Sequence, residues 1–195
     1  MTDMKTIWIA TGNANKVAEF KKMVGDTACV KCLKDLKEPI EIVEDGKTFE
    51  ENALIKARAL YAVLHEPVIS DDSGIEVDAM DKMPGVYSAR FMGEDTSYDI
   101  KNQYIIDQVR GKVKTARYVC VIAYIDEDGN EKTYRGVCEG EINDKMVGEN
   151  GFGYDPIFYY PEYKTTLANV SDEKKNAISH RGMAMEMFMK DWRNQ

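Results

Sequence analysis

The stretch YVCVIAYI at residues 118–125, followed by DEDGN at 126–130 and EKTYRGVCEGEIN at 131–143, decides the fold class. Both alternations of 118–125 are apolar, as in a strand covered on both faces inside a sheet. Asp128-Gly129 predicts a tight hairpin turn, after which residues 132–143 return antiparallel. Upstream, residues 6–11 (TIWIAT) predict a first strand, about 16–23 a helix and 28–33 a second strand. Residues 68–70 form a short strand that enters a turn at Asp71-Asp72-Ser73-Gly74, and 75–77 resume it. Residues 98–109 predict another helix, and a last helix starts at Ser179 and runs towards Trp192. Alternating elements plus one hairpin predict an α/β protein with a long mixed β-sheet and flanking helices, not a pure doubly wound one.

The helix over residues 48–64 has the strongest signal. Thr48-Phe-Glu-Glu51 fits a capping box, and Phe49, Ala53, Ala57, Leu60 and Leu64 form one apolar face. Lys56 lies about 20° from Phe49 on that face, so an ammonium interrupts the stripe. It either snorkels from the edge or faces an anion in a cleft.

Composition narrows the function classes. With 44% hydrophobic and 31% charged residues the chain is an ordinary globular protein, which excludes disorder. Twenty-six basic against 34 acidic residues leave a net charge of −8, so broad electrostatic binding of nucleic acid is not expected. No apolar run approaches the roughly 18 residues of a membrane span. The polar start at residues 1–5 shows no secretory signal. Cys29 and Cys32 form C-x-x-C, but on a strand they point to opposite faces, and Cys120 and Cys138 are isolated. Reduced structural cysteines and a cytoplasmic location are expected. Met183, Met185, Met187 and Met189 read as helix packing (183 with 187, 185 with 189), not as a metal site.

Several polar groups stand where chemistry would use them. Asp71 and Asp72 follow a buried strand, where a carboxylate pair suits a hard cation or a general base; a solvated turn is the competing reading. Glu44 offers a further acidic ligand. Thr11-Gly12-Asn13-Ala14-Asn15-Lys16 joins strand to helix without the Walker A pattern, yet presents backbone N–H groups and a lysine to an anion. In Gly151-Phe152-Gly153-Tyr154-Asp155, Phe152 can stack on a base and Asp155 can accept from a ring N–H. Lys174-Lys175 precede Ser179-His180-Arg181 at a helix start, where cations oppose the macrodipole unless an anionic or carbonyl-rich ligand is present.

Taken in chain order, these segments closely resemble the inosine triphosphate pyrophosphatase family. The matching segments are TGNANK at 11–16, GKTFEENALIKA at 46–57, DDSGIEVD at 71–78, PGVYSARF at 84–91, NGFGYDPIF at 150–158 and EKKNAISHRG at 173–182. The resemblance implies a single domain over residues 1–195, with two lobes around a central cleft. It implies Mg²⁺-dependent conversion of dITP, ITP or XTP to the monophosphate and pyrophosphate, one Mg²⁺ per active site, and a homodimer. By motif position it implies Asp72 as metal ligand and general base, Glu44 as second metal ligand and Asp71 in support. Thr11–Lys16, Lys56 and Lys175 match triphosphate contacts, and Ser73 a substrate contact beside the metal. Phe152, Gly153, Tyr154, Asp155, His180 and Arg181 match base recognition. A nucleotide sensor without turnover, and a pyrophosphatase for pyrimidine or methylated nucleotides, are the competing readings. Three departures touch loops: Asp81-Lys82-Met83 stands where the family often has a glycine pair, Lys145-Met146-Val147 replaces a commoner Pro-Arg, and residues 162–166 lack the usual glycine.

Overall fold

The computed structural model describes residues 4–195, so the first three residues of the polar start lie outside it. Strands β1 (Lys5–Ile9), β2 (Ala28–Cys32), β3 (Val68–Val77), β4 (Met83–Pro84), β5 (Thr115–Ile125), β6 (Glu131–Ile142), β7 (Phe158–Tyr160) and β8 (Thr165–Thr166) form one sheet. Its order is β2-β1-β3-β5-β6-β7-β8, with β4 beside β3. β1 runs parallel to β2 and β3, whereas β6, β7 and β8 pair antiparallel, so the sheet is mixed as expected. The helices are α1 (Ala14–Val24), α2 (Phe49–Leu64), α3 (Tyr98–Val109), α4 (Asp172–Ile178) and α5 (His180–Arg193). None is long and apolar enough to cross a membrane among the described residues.

The hairpin that decides the class is present. Asp126 N donates to Asn130 O at 3.0 Å at one end, and Ile142 N to Lys114 O at 2.8 Å at the other. Every residue from Tyr118 to Ile125 is buried, which is why both alternations are apolar. Helix α2 starts where expected: Thr48 Oγ1 accepts from Glu51 N at 3.0 Å. The Glu51 carboxylate, however, accepts from Lys47 N, one residue before the position a capping box uses. Phe49, Ala53, Ala57 and Leu60 are buried, and Leu64 half-buried.

The described residues form two compact units, one of residues 4–72, Val121–Arg135 and Ala184–Gln195, the other of Ser73–Cys120 and Gly136–Met183. Phe188 centres the aromatic packing of the first, with its ring 5.2 Å from Tyr124 and 6.0 Å from Phe20. The second packs Ile75, Val77, Ile105, Tyr118, Ile157, Phe158 and Leu167 into its core. All four cysteines are free. Met185 and Met189 are buried while Met183 and Met187 are exposed, the pairing that helical spacing predicts.

Two expectations need correction. Residues 71–74 are not a turn: β3 runs unbroken from Val68 to Val77. Lys174 and Lys175 do precede the last helix, α5, but they do not stand at its start. They lie inside α4, which is capped by Ser171 Oγ, and Lys175 occupies its last turn, where a cation complements the macrodipole and does not oppose it.

Two of the loop departures share a conformation. Asp81 (φ +53°), Lys82 (φ +67°) and Lys164 (φ +55°) are left-handed, the region glycine favours. Side chains thus occupy the backbone positions at which the resemblance leads one to expect glycine. The double variant Lys82→Gly with Lys164→Gly should gain about 1 kcal/mol of stability, read as a raised Tm.

Candidate active site

The first group of site residues belongs entirely to the first unit. β1 ends at Ile9 and the chain turns into α1 through residues 10–13. Thr11 Oγ1 accepts from Asn13 N at 3.1 Å, and Asn13 Oδ1 accepts from Asn15 N at 3.0 Å and Lys16 N at 3.3 Å. Side chains of the motif thereby satisfy three of its backbone N–H groups. Lys16 Nζ reaches both oxygens of Asp71, at 3.1 and 3.2 Å.

Because β3 continues through the acidic pair, its two-residue period sends Asp71 and Asp72 to opposite faces. Asp71 meets Lys16 of α1. Ser70 and Asp72 share the face turned to α2, where Ser70 Oγ donates to Ala53 O. There Lys56 Nζ lies 3.1 Å from Glu44 Oε1 and 3.8 Å from Asp72 Oδ1, and it also donates to the Asp71 carbonyl. Lys56 does not snorkel, since its side chain is only 14% exposed. Burial opposes its charge, but Asp71, Asp72 and Glu44 outweigh burial and hold the ammonium above its ordinary pKa.

Asp72 is the perturbed acid of this group. Burial, with Glu44 and Asp71 adding to it, pushes its carboxyl up to about 6, against the opposing pull of Lys56 and a hydrogen bond with Asn52. Its Oδ2 is buried with no hydrogen-bond partner. A buried carboxylate oxygen without a donor suits a cation or a reacting proton. Among the described residues no three His, Cys, Asp or Glu side chains converge as a closed metal cage. Mg²⁺ does not require one, because it is commonly held by one or two carboxylates with water and substrate phosphate. Glu44 and Asp72 fit that pattern.

Asn52 is the residue sequence reasoning missed. It is 1% exposed; its Oδ1 accepts from Gly46 N at 2.8 Å while its amide serves Asp72, so it ties the Glu44 loop to the acid. A Cβ at Gly46 would come within 2.7 Å of that oxygen. The available signal was spacing: Asn52 is four residues before Lys56, hence on the same face of an otherwise apolar stripe.

The second group belongs entirely to the second unit. Phe152 is 74% exposed, and Lys175 Nζ stands 4.4 Å from its ring centroid. Asp155 is buried; its carboxylate accepts from Tyr118 OH at 2.9 Å, Phe152 N at 3.1 Å and Lys175 Nζ at 2.5 Å. Its oxygens therefore serve the loop and the lysine, not an open surface. Gly151 (φ +73°) is required, since a Cβ there would lie 2.3 Å from Asp155 Oδ2. Gly153 O accepts from Asn102 Nδ2, and Tyr154 OH donates to Ser88 O. The His180 ring stacks on Tyr118 with centroids 4.8 Å apart. Arg181 and Ser73 are half-buried, in the first turn of α5 and in β3. The structure thus gathers Lys16, Glu44, Lys56, Asp71 and Asp72 in one group, and Phe152, Asp155, Lys175 and His180 in another. Lys175 has its partners with Phe152, where the sequence reading had grouped it with Lys16 and Lys56. Tyr118, which supports both Asp155 and His180, had no signal, because in sequence it reads as core.

The chain matches the Ham1 family over residues 7–191. A dITP/XTP pyrophosphatase of Shouchella clausii is 44% identical over 186 residues, covering 93% of each chain. One from Bacillus cereus (strain ZK / E33L) is 45% identical over 191 residues, 95% of this chain and 93% of the other. Among solved structures, the Staphylococcus aureus Ham1 protein is similar with a TM-score of 0.92 and 39% identity, covering 97% of this chain and 99% of that one.

Proposed function

Since the chain belongs to the Ham1 family, we propose that it hydrolyses non-canonical purine nucleoside triphosphates, dITP, ITP and XTP, to the monophosphate and pyrophosphate. The observation that carries the chemistry is the buried, unpartnered Asp72 Oδ2 beside Lys56 and Glu44. Asp72 takes the proton of the water that attacks the α-phosphate, its Oδ2 being buried without a protein donor. Lys16 and Lys56 stabilise negative charge on the departing pyrophosphate. Attack at the α-phosphorus accounts for release of pyrophosphate in place of phosphate. Glu44 and Asp72 would hold Mg²⁺, which supplies polarisation of phosphate oxygens when bound. Thr11, Gly12, Asn13, Ala14 and Asn15 present the strand-to-helix turn to the phosphates, and Ser73 adds a contact next to Asp72.

Base recognition is assigned to the second group. Phe152 offers an exposed ring face, with Gly153 and Tyr154 shaping the loop. Asp155 supports that loop and holds Lys175, whose ammonium points at the same ring. His180 and Arg181 donate to the 6-oxo group of hypoxanthine or xanthine, and the 6-amino group of adenine leaves such donors unpaired. Arg181→Ala is therefore expected to narrow the dITP-to-dATP preference in kcat/KM by about tenfold, roughly one hydrogen bond. An unaltered ratio would remove its recognition role.

We further propose one Mg²⁺ per site, action on the cytoplasmic nucleotide pool, a homodimer and no nucleic-acid partner; the net charge of −8 supports the last. The test is product analysis with dITP, XTP, dGTP, dATP and dUTP, with and without Mg²⁺, scoring pyrophosphate and phosphate separately. Metal-dependent pyrophosphate from dITP and XTP is expected. Phosphate release would break the α-attack reading, dUTP turnover would favour a pyrimidine enzyme, and binding without turnover would favour a sensor.

A further inference from the structure

The oxygens around Lys56 are those a hard divalent cation would seek. Its ammonium sits 3.1 Å from Glu44 Oε1 and 3.8 Å from Asp72 Oδ1 and is bonded to the Asp71 carbonyl. We infer that Lys56 is the resident cation of the Glu44–Asp72 site and keeps free divalent metal out until a nucleotide draws it away. The inference rests on reading Glu44 and Asp72 as the metal-holding pair.

The physical argument is exclusion by like charge. Mg²⁺ binds oxygen at about 2.0–2.1 Å, so an ion on these carboxylates would share acceptors with an ammonium already in contact with them. The repulsion is strongest at Asp72, because the Lys56 and Asp72 side chains are each only 14% exposed, whereas Glu44 is 40% exposed and more screened. Lys56 is held in place by Glu44 Oε1, Asp72 Oδ1 and the Asp71 carbonyl together. It leaves only for another anion. A triphosphate supplies that anion, and its oxygens complete the metal's coordination at the same time. Metal and nucleotide therefore enter together, and the resting protein does not scavenge metal. Asp72 Oδ2, buried and without a donor, remains for the incoming complex.

Mn²⁺ binding to the full-length, nucleotide-free protein, followed by the electron paramagnetic resonance of free Mn²⁺, tests this without turnover. Lys56→Met and Lys56→Gln should each bind Mn²⁺ at least tenfold more tightly than the parent. Lys56→Arg, which keeps the charge, should stay weak, and Lys56→Met combined with Glu44→Gln should lose the gain. Equal or weaker binding by both neutral variants overturns the inference. So does a gain that survives Glu44→Gln, which would place the metal elsewhere. Because Lys56→Met also removes a phosphate contact, its kcat/KM should fall while its metal affinity rises, a divergence that a merely structural lysine would not produce. Failure of the substrate panel with the expected Mn²⁺ pattern would strike the proposed reaction and leave the role of Lys56 standing.

Discussion

Asp72→Asn is expected to lower kcat about a thousandfold while leaving the protein folded, because it removes the proposed base and keeps the shape. The same variant should be more stable than the parent at neutral pH. In the metal-free protein the Asp72 carboxyl is held up at about 6 from an ordinary 3.8, mainly by burial. Between those values the native state binds the proton that the unfolded chain has lost. Stability is therefore fullest at low pH and declines as pH rises through 6. An amide carries no such burden, so the Asp72→Asn substitution should relieve a penalty on the order of 2 kcal/mol at pH 7.5 and nothing measurable below pH 4. Thermal melts of the metal-free protein at the two pH values check this. Full turnover in the variant would take the base role from Asp72.

Asp155→Ala should produce the second large effect, this time on stability. The carboxylate is buried against three donors, among them the buried Tyr118 hydroxyl and the Lys175 ammonium. Truncation strands all three and costs about 3 kcal/mol. It also releases Lys175 from above Phe152, so KM for dITP should rise more than kcat falls. Urea unfolding measures the first and steady-state kinetics the second. Asp155→Asn, which retains acceptor geometry on one oxygen, should lie between. A stability loss in the alanine variant under about 1 kcal/mol would mean that the three contacts contribute little.

The parts of the fold that were legible share a cause: their pattern is written in apolar residues. The doubly covered strand β5, its hairpin and the face of α2 all declare themselves by burial. Lys56 stands out against that apolar face for the same reason, and it packs against Glu44 and Asp72. Failures came where the determinants are polar and tertiary. Asp71-Asp72-Ser73-Gly74 has turn composition, yet Lys16, Lys56, Asn52 and the hydrogen bond that Ser88 accepts from Ile75 N hold it extended, which overrides local preference. Helix α4 buries no residue, so it leaves no periodic trace. The saturation of Asp155 depends on Tyr118, 37 residues away, and no local window contains both.

The capped turn between β1 and α1 has a consequence for how tightly anything binds there. Ordering a free backbone withdraws about 1–2 kcal/mol per residue from any association that must do it. At residues 11–16 that ordering is done during folding, because Thr11 and Asn13 have already fixed the Asn13, Asn15 and Lys16 amides. Under the proposed function, a phosphate arriving at the turn would meet a finished shape, and its affinity would not be diluted by chain entropy.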